Sequence, residues 1–306
     1  RVAIEEAATR LGFRINVFAR NLRARRSRTV GVLLPELDND FHLSIIAGVE
    51  QALRGDGVSV LVSSSHVGGM PQSDAVDLMM SKMVDGIIAV PSANVVGALR
   101  DVSERGVPVV MVDWVADGLT ADAVVLDNVG AGAMAARHLA DHGHRRVAMI
   151  GGLDGISTMR ERAAGFRAGL EDRGLLPENV LVSSGPLTVD AGHAAMQAVL
   201  AFRDRPTAVF CANYELTLGA LIALNESGLR IPHDMSFVGF DSRELAQVTR
   251  PTLTMIIQPL SAIANEAASL MRARLTAPAD SDWEPRVVTL PGRLVIGASV
   301  ASLHTA

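Results

Sequence analysis

The stretch Val107-Pro108-Val109-Val110-Met111-Val112-Asp113 is a short apolar run, rich in β-branched residues, that ends at a single carboxylate. It predicts a strand buried on both faces, because it lacks the alternating polar residues of a half-exposed strand. Similar runs return along the chain, and segments with helical periodicity separate them. Buried strands that alternate with helices predict an α/β protein built on parallel sheets.

The predicted elements alternate from residue 30 to residue 240. The strands are Val30–Leu34, Val58–Val62, Gly86–Val90, Val109–Val112, Ala123–Leu126, Val147–Ile150, Val180–Ser183, Ala208–Cys211 and Ser236–Phe240, and the helices lie near 41–54, 72–84, 94–105, 129–142, 158–173, 189–202 and 214–227. The pattern occurs twice, and each half opens with a strand that ends near an acidic or polar turn. We therefore predict two Rossmann-like lobes with a cleft between them and ligand sites at the carboxyl ends of the strands.

A basic arm precedes this body. Its last part is Asn16-Val17-Phe18-Ala19-Arg20-Asn21-Leu22-Arg23-Ala24-Arg25-Arg26-Ser27-Arg28. Asn16 is a good N-cap, and a helix of about eight residues is marginal in water, so we predict a helix that folds only when bound. Residues 1–28 carry eight arginines against two glutamates, whereas the whole chain has a formal charge of −5. This asymmetry indicates nucleic-acid binding, and a solvated basic linker is the alternative.

Length and composition narrow the class of protein. The 306 residues are 49% hydrophobic, which is enough for two domains with their own cores. No apolar run approaches the roughly 18 residues of a membrane span, and the N-terminus has no signal-peptide pattern. The single cysteine, Cys211, excludes an internal disulfide and fits a reducing cytoplasm. Because the first residue is Arg rather than Met, we expect an upstream segment that this chain lacks.

Catalytic and metal-binding motifs are weak. His138, His142 and His144 lack further ligands of a defined type, which disfavours a metal site. The glycine-rich segment 151–155 lacks the Lys-Ser/Thr of a phosphate-binding loop, and no Gly-x-Ser-x-Gly elbow is present. We therefore expect no metal, no cofactor and no enzymatic activity, and a carbohydrate-modifying enzyme is the less favoured alternative.

Several motifs occur together in a known order. Residues 12–23 followed by Arg28-Thr29-Val30-Gly31-Val32-Leu33-Leu34-Pro35 resemble the hinge region of LacI/GalR-type (lactose/galactose repressor) transcriptional regulators. Val84-Asp85-Gly86-Ile87-Ile88, Arg162-Ala163-Ala164-Gly165-Phe166 and Val238-Gly239-Phe240-Asp241 also resemble this family, and the resemblance covers nearly the whole chain. It implies a core of the periplasmic-binding-protein-like type I, preceded by a partial helical headpiece whose helix-turn-helix lies before residue 1.

The function that the resemblance implies is transcriptional regulation. The implied protein is a cytoplasmic homodimer, usually a repressor, that binds operator DNA and a small effector between its lobes. A sugar or sugar derivative is the first candidate effector, and a nucleoside-like compound is the second. A solute-binding protein of a transport system would have the same two lobes and is the alternative function.

The resemblance also implies the domain boundaries and the DNA contacts. Residues 1–28 would be the remnant of the headpiece with its hinge helix, 29–128 with 259–288 the N-terminal lobe, and 129–258 with 289–306 the C-terminal lobe. In the family, paired hinge helices enter the minor groove and a leucine wedges between two base pairs. The implied DNA-binding residues are Asn16, Ala19, Arg20, Leu22 and Arg23. The family's usual proline is Ile15 here, so we expect a less fixed helix start.

The effector-binding residues implied by the resemblance follow predicted strands or begin predicted helices. They are Phe41, His42, Asp113, Asp127, Thr158, Arg162, Asn213, Tyr214, Asp241 and Gln258. Arg162 is preferred to Arg160, which lies about 200° round the same helix. Asp241 either grips hydroxyl or amine donors of a ligand or caps the following short helix.

Other positions keep their alternatives at this point. Trp114 lines the cleft or packs under it, and Thr158 caps its helix, touches the ligand or does both. Tyr214 adds a ring to the pocket or replaces a helix cap. Asp127 and Gln258 sense closure, touch the ligand or only bond the backbone.

Overall fold

The computed structural model describes residues 26–37, 39–64, 72–92, 94–175, 180–278 and 283–303. The strands are β1 Thr29–Leu34, β2 Ser59–Ser64, β3 Gly86–Ala89, β4 Val109–Asp113, β5 Asp122–Leu126, β6 Val147–Gly152, β7 Val180–Gly185, β8 Ala208–Cys211, β9 Ser236–Phe240, β10 Thr254–Ile257, β11 Val287–Leu290 and β12 Arg293–Val295. The helices are α1 Asp40–Arg54, α2 Gln72–Ser81, α3 Val96–Glu104, α4 Asn128–Asp141, α5 Ser157–Glu171, α6 Val189–Ala201, α7 Tyr214–Ser227, α8 Arg243–Val248 and α9 Leu260–Thr276. This arrangement confirms the predicted α/β class with parallel sheets.

The chain forms two compact units. Unit 1 comprises residues 1–125 and 260–288, and unit 2 comprises residues 126–259 and 289–306. One six-stranded sheet has the order β11-β5-β4-β3-β1-β2, and the other has the order β12-β10-β9-β8-β6-β7. In the first sheet, β5, β4, β3, β1 and β2 pair in parallel. In the second sheet, β10, β9, β8, β6 and β7 pair in parallel, and β12 runs antiparallel to β10.

The central strands are buried on both faces, as the apolar runs predict. Every residue of β3, β6, β8 and β9 is buried. In unit 2 the core centres on aromatic rings: those of Phe166 and Phe210 stack with centroids 5.3 Å apart, and Phe240 lies 6.5 Å from Phe210. Phe240, at the end of β9, therefore brings the aromatic core up to the edge of the sheet where ligands bind in such folds.

Two glycines fix the crossing of α4 and α5. A Cβ atom at Gly165 would overlap the carbonyl oxygen of Val129, and one at Gly132 would overlap the carbonyl oxygen of Arg162. Each helix thus needs a glycine where the backbone of the other passes. This contact sets the position of Arg162 on α5 relative to the start of α4.

Some element predictions differ from the structure. The helix predicted near 72–84 ends at Ser81, because Met83 adopts a φ of 55°, which an α-helix cannot continue. Four further elements, β10, β11, β12 and α9, were not predicted. Strands β10 and β12 extend the sheet of unit 2 beyond β9, and β11 extends the sheet of unit 1 beyond β5. Among the described residues, no helix is both long and apolar enough to cross a bilayer.

Candidate functional site

A buried arginine lies at the carboxyl end of the sheet in unit 2. Arg162, on the second turn of α5, has only 3% of its surface exposed. Its Nε donates to Oδ1 of Asn128 at 2.8 Å, and its Nη1 donates to the carbonyl oxygen of Ala212 at 2.6 Å. Its guanidinium carbon lies 3.9 Å from the ring centroid of Phe240. The guanidinium of Arg162 is therefore held by the start of α4, by the residue after β8 and by the ring of Phe240.

Arg160 takes the opposite side of α5. It is exposed, and its Nη1 donates to the carbonyl oxygen of Asp154 at 2.9 Å. The two arginines are separated as the helical offset predicts. The role of Arg162 in effector binding stays a prediction.

Asp241 follows β9 directly and adopts a φ of 57°, in the left-handed region that non-glycine residues rarely adopt. Its backbone N–H donates to the carbonyl oxygen of Ile256 at 2.8 Å. Its Oδ2 accepts from Nε2 of Gln258 at 2.8 Å, and its Oδ1 accepts from the backbone N–H of Gln258 at 3.3 Å. The strained backbone and the two bonds together fix the carboxylate at the edge of the sheet.

The capping alternative for Asp241 is wrong, because the next residue caps α8. Ser242 has a φ of 60°, and its hydroxyl accepts from the backbone N–H of Leu245 at 3.1 Å. The serine takes the capping role and leaves the Asp241 carboxylate to Gln258.

Opposing influences act on the pKa of the Asp241 carboxyl. Burial raises the pKa of the Asp241 carboxyl above its usual value, and the positive charge of Arg162 and the hydrogen bonds from Gln258 act against that rise. A carboxylate beside a cation in a poorly hydrated environment is well suited to hydroxyl or amine donors.

Gln258 adds an acceptor to the same network. Only 6% of its surface is exposed, and its Oε1 has no hydrogen-bond partner in the part of the chain that the structure describes. Buried polar atoms are normally paired, so this carbonyl oxygen keeps the capacity to accept a further hydrogen bond. Of the alternatives for Gln258, backbone bonding alone is wrong, since its side chain bonds the Asp241 carboxylate.

Asn128 is a member of the network that the sequence analysis missed. It is 2% exposed, accepts from Arg162, and donates through Nδ2 to Oε2 of Glu161 at 3.1 Å. Its neighbour Asp127 is the N-cap of α4 and accepts from the backbone N–H of Gly130 at 2.7 Å. The sequence feature that could have indicated Asn128 is the Asp-Asn pair at the helix start. When the first residue caps the helix, the side chain of the second can bond to another element.

The remaining predicted residues of unit 2, Asn213, Tyr214 and Thr158, lie at the N-terminal ends of helices. Asn213 caps α7, because its Oδ1 accepts from the backbone N–H of Leu216 at 2.9 Å, and its amide donates to Glu215. Tyr214 is the half-buried first residue of that helix, so it does not replace the cap. Thr158 is 4% exposed, and the N-cap of α5 is Ile156, with no side-chain cap bond. Thr158 therefore does not cap its helix.

Three of the predicted effector-binding residues, Phe41, His42 and Asp113, lie in unit 1. The rings of Phe41 and His42 meet edge to face with centroids 5.6 Å apart, and Asn39 caps their helix by accepting from the N–H of Phe41 at 2.9 Å. Asp113, at the end of β4, has a φ of 78°. The indole N–H of Trp114 donates to the carbonyl oxygen of Pro91 at 2.7 Å, and its ring packs against the core. Trp114 is half-buried, so its alternatives stay open.

Within unit 2, Gln258 bonds the Asp241 carboxylate and the positive charge of Arg162 acts on that carboxyl, while Arg162 itself bonds Asn128 and Ala212. Within unit 1, the rings of the neighbouring residues Phe41 and His42 contact each other. The predicted DNA-binding residues Asn16, Ala19, Arg20, Leu22 and Arg23 lie outside the described residues.

His138, His144 and Cys211 are buried in the protein. Burial lowers the pKa of His138 to about 4 and that of His144 to about 4. Among the described residues, no group of three or more His, Cys, Asp or Glu side chains is placed to hold a metal ion. Cys211 is fully buried, and burial raises the pKa of its thiol.

Comparison with known proteins places this geometry in context. Residues 136–300 match the family described as periplasmic binding protein-like domain. The HTH-type transcriptional repressor CytR of Escherichia coli (strain K12) is 31% identical over 271 residues, which are 89% of this chain and 80% of the relative. The HTH-type transcriptional repressor PurR of Vibrio atlanticus (strain LGP32) is 28% identical over 305 residues, which are 98% of this chain and 90% of the relative.

Two similar solved structures contain sugars. A LacI family transcriptional regulator from Enterococcus faecium with bound ribose has a TM-score of 0.80 and 25% identity, and covers 90% of this chain and 100% of the other. The transcriptional regulator CelR in complex with cellobiose has a TM-score of 0.80 and 29% identity, and covers 97% of this chain and 89% of the other.

Proposed function

Since the chain belongs to the LacI/GalR family of transcriptional regulators, we propose that it binds operator DNA as a homodimer and is controlled by a small polyhydroxylated effector, a sugar or sugar derivative. The observation that carries the effector proposal is the fixed polar network of Arg162, Asp241 and Gln258 at the carboxyl edge of the unit 2 sheet. Ribose and cellobiose in two similar regulators support the sugar class.

The chemistry of the network suits hydroxyl groups. The Asp241 carboxylate and the Gln258 carbonyl accept hydrogen bonds, and a guanidinium donates them in a fixed plane. A sugar hydroxyl both donates and accepts, so neighbouring hydroxyls of one ring satisfy both kinds of group. We also propose Phe41, His42 and Asp113 of unit 1 as effector-binding residues, with the Phe41 ring available to an apolar sugar face.

We propose that the basic arm reads DNA. Asn16, Ala19, Arg20, Leu22 and Arg23 are its assigned contacts, with Leu22 as the wedge in the minor groove. A homodimer is needed because two short helices that are unstable alone stabilise each other on the duplex. The regulator then acts in the cytoplasm, where its operator is.

Effector and DNA are coupled by linkage. If the effector changes operator affinity tenfold, the two states of the protein must differ in effector binding by about 1.4 kcal/mol. A marginally stable hinge helix is a sensitive reporter of so small a difference, because its own folding free energy is close to zero.

The alternatives are less well supported. The curated relatives are transcriptional repressors, which favours neither a transport protein nor a carbohydrate-modifying enzyme. The fully buried thiol of Cys211 is also a poor nucleophile.

The proposal is tested by a thermal-shift screen of D-ribose, cellobiose, other mono- and disaccharides, and nucleosides against the purified protein. We expect one chemical class to raise the melting temperature in a concentration-dependent way. The hit is then incubated with the protein and followed by chromatography. Binding without turnover supports a regulator, and steady conversion of the compound supports the enzyme alternative.

The DNA half needs a separate experiment. Operator affinity is measured for the full-length protein with and without the hit, together with the Leu22→Ala variant. We expect Leu22→Ala to weaken operator binding and to leave the effector-induced thermal shift unchanged. Equal DNA affinity of the two proteins would contradict the wedge, and a monomer in solution would contradict the paired hinge.

A further inference from the structure

The junction between the basic arm and the core is tied to one carboxylate. Asp85 stands directly before β3, and Ser27 and Arg28 stand directly before β1. Because β1 and β3 are parallel neighbours with Val30 opposite Gly86, their amino ends lie side by side. The backbone N–H of Asp85 also donates to the carbonyl oxygen of Thr29 at 2.7 Å. The end of the arm and Asp85 thus meet at the same edge of the sheet.

Both oxygens of the carboxylate are engaged by the arm. Oδ1 accepts from the backbone N–H of Ser27 at 2.8 Å and from its hydroxyl at 3.2 Å. Oδ2 accepts from the backbone N–H of Arg28 at 2.7 Å. Bonds from two successive backbone N–H groups to one carboxylate fix the plane and direction of the peptide between them.

The backbone at this point is bent. Arg28 has a φ of 54°, and its carbonyl oxygen accepts from the N–H of Ser59 on β2 at 2.8 Å. A residue with a Cβ holds the left-handed conformation only where its surroundings enforce it. Asp85 on one side and β2 on the other supply that enforcement.

We propose that Asp85 is a positioning residue for DNA binding, which fixes the direction in which the basic arm leaves the core. Without it, residues 27 and 28 become a flexible joint, and ordering the arm on DNA costs more conformational entropy. This inference rests on the proposed function, because it requires that the arm bind operator DNA.

The test uses operator duplexes selected from a random pool by the wild-type full-length protein. Asp85→Asn keeps the size of the side chain but presents an amide N–H₂ where a carboxylate oxygen accepted. Asp77→Asn is the matched control, since it removes the same charge from an exposed position on α2 of the same unit. We expect Asp85→Asn to weaken operator binding by about tenfold or more and Asp77→Asn by less than about twofold.

The second readout separates positioning from stability. The duplexes are also made with one base pair added to or removed from the centre between half-sites. A fixed arm tolerates this change poorly, whereas a loosened arm tolerates it better. We therefore expect Asp85→Asn to lose most of the wild-type preference for the original spacing and Asp77→Asn to keep it. Ser27→Ala, which removes only the hydroxyl bond, should shift the preference less and in the same direction.

The outcomes are distinguishable. If Asp85→Asn keeps the wild-type affinity and spacing preference, the assignment is overturned. The same holds if it loses affinity together with thermal stability while its spacing preference is unchanged. Should Asp85→Asn fail to fold, a wild-type spacing preference in Ser27→Ala overturns the assignment. If the wild-type protein selects no duplex at all, the proposed DNA-binding function fails instead.

Discussion

Two strands in different units end in the same way and are supported differently. Asp113 follows β4 in unit 1 with a φ of 78°, and Asp241 follows β9 in unit 2 with a φ of 57°. Asp241 is fixed by two bonds from Gln258 and by the charge of Arg162. Beside Asp113, the neighbouring Trp114 is anchored to the carbonyl of Pro91. The same local backbone thus serves a polar network in unit 2 and an aromatic-lined strand end in unit 1.

This difference suggests a division of labour. A carboxylate fixed in advance binds its ligand with little cost of reorganisation, so we expect Asp241 of unit 2 to contribute strongly to effector affinity. Phe41 and His42 of unit 1 should instead decide which compounds of the class are accepted. Three variants and the pH dependence of stability test this division between the units.

The largest effect is expected for Arg162→Ala. It removes the hydrogen bonds to Asn128 and to the carbonyl of Ala212 together with the charge that acts on Asp241. Removing one member of a buried charged group costs about 3–5 kcal/mol of unfolding free energy. The effector-induced rise in melting temperature should also vanish. Arg160→Ala, two residues away and exposed, is the control and should change neither quantity. Denaturant unfolding and thermal shift check both, and a retained effector response in Arg162→Ala would remove the assignment.

Next in size is Asp241→Asn compared with Asp113→Asn. Asparagine tolerates the left-handed conformation, so both variants should fold. We expect Asp241→Asn to weaken effector binding by about 10–100-fold, the range for a lost charged hydrogen bond, and Asp113→Asn by less. Calorimetric titration with the compound found in the screen gives both values. A larger loss for Asp113→Asn would reverse the division of labour.

A smaller effect on the free energy of unfolding is expected from a change in pH. His138 and His144 of unit 2 have a pKa lowered to about 4 by burial, with a further lowering by His142, while Asp141 raises that of His138. Between the unfolded value near 6.5 and 4, the unfolded chain binds protons that the folded chain does not. The free energy of unfolding should therefore decrease as the pH falls through this range.

Thermal melts at constant ionic strength between pH 7 and pH 4.5 measure this dependence. His138→Gln should flatten it, whereas His233→Gln, at an exposed position of the same unit, should leave it unchanged. Equal pH dependence of all three proteins would show that burial of His138 does not contribute.

The smallest effect is expected for Trp114→Phe. The change removes the indole hydrogen bond to Pro91 while keeping an aromatic ring against the core, and one neutral bond is worth about 1 kcal/mol. Unfolding free energy should fall by that amount with effector affinity unchanged. A clear loss of affinity would mean that Trp114 touches the effector, and unit 1 would then contribute more than the comparison suggests.

Much of the fold follows from local sequence, and less of the site does. Apolar runs predict the buried strands because burial on both faces requires them. The apolar run before Asp241 likewise predicts that this residue directly follows a buried strand, as the structure has it. By contrast, β11 begins in the part of unit 1 that follows residues 126–259 of unit 2 along the chain, and its place in the sheet depends on pairing with a strand far away in sequence.

The roles of neighbouring residues were the hardest to predict. Asp127 and Asn128 are both good capping residues, and only the structure shows that the first caps α4 while the second holds Arg162. Ser242, rather than Asp241, caps α8 for a similar reason. Phe240 was assigned as a strand residue, and its contact with a guanidinium depends on a helix far away in sequence.

The glycine contact between α4 and α5 also bears on engineering. Because Gly132 and Gly165 set how these helices meet, any side chain added there would displace the guanidinium together with its support. A biosensor library that seeks a new inducer should therefore leave both glycines intact and vary positions 41 and 42 in unit 1. Such a library would leave the helix packing that positions Arg162 unchanged.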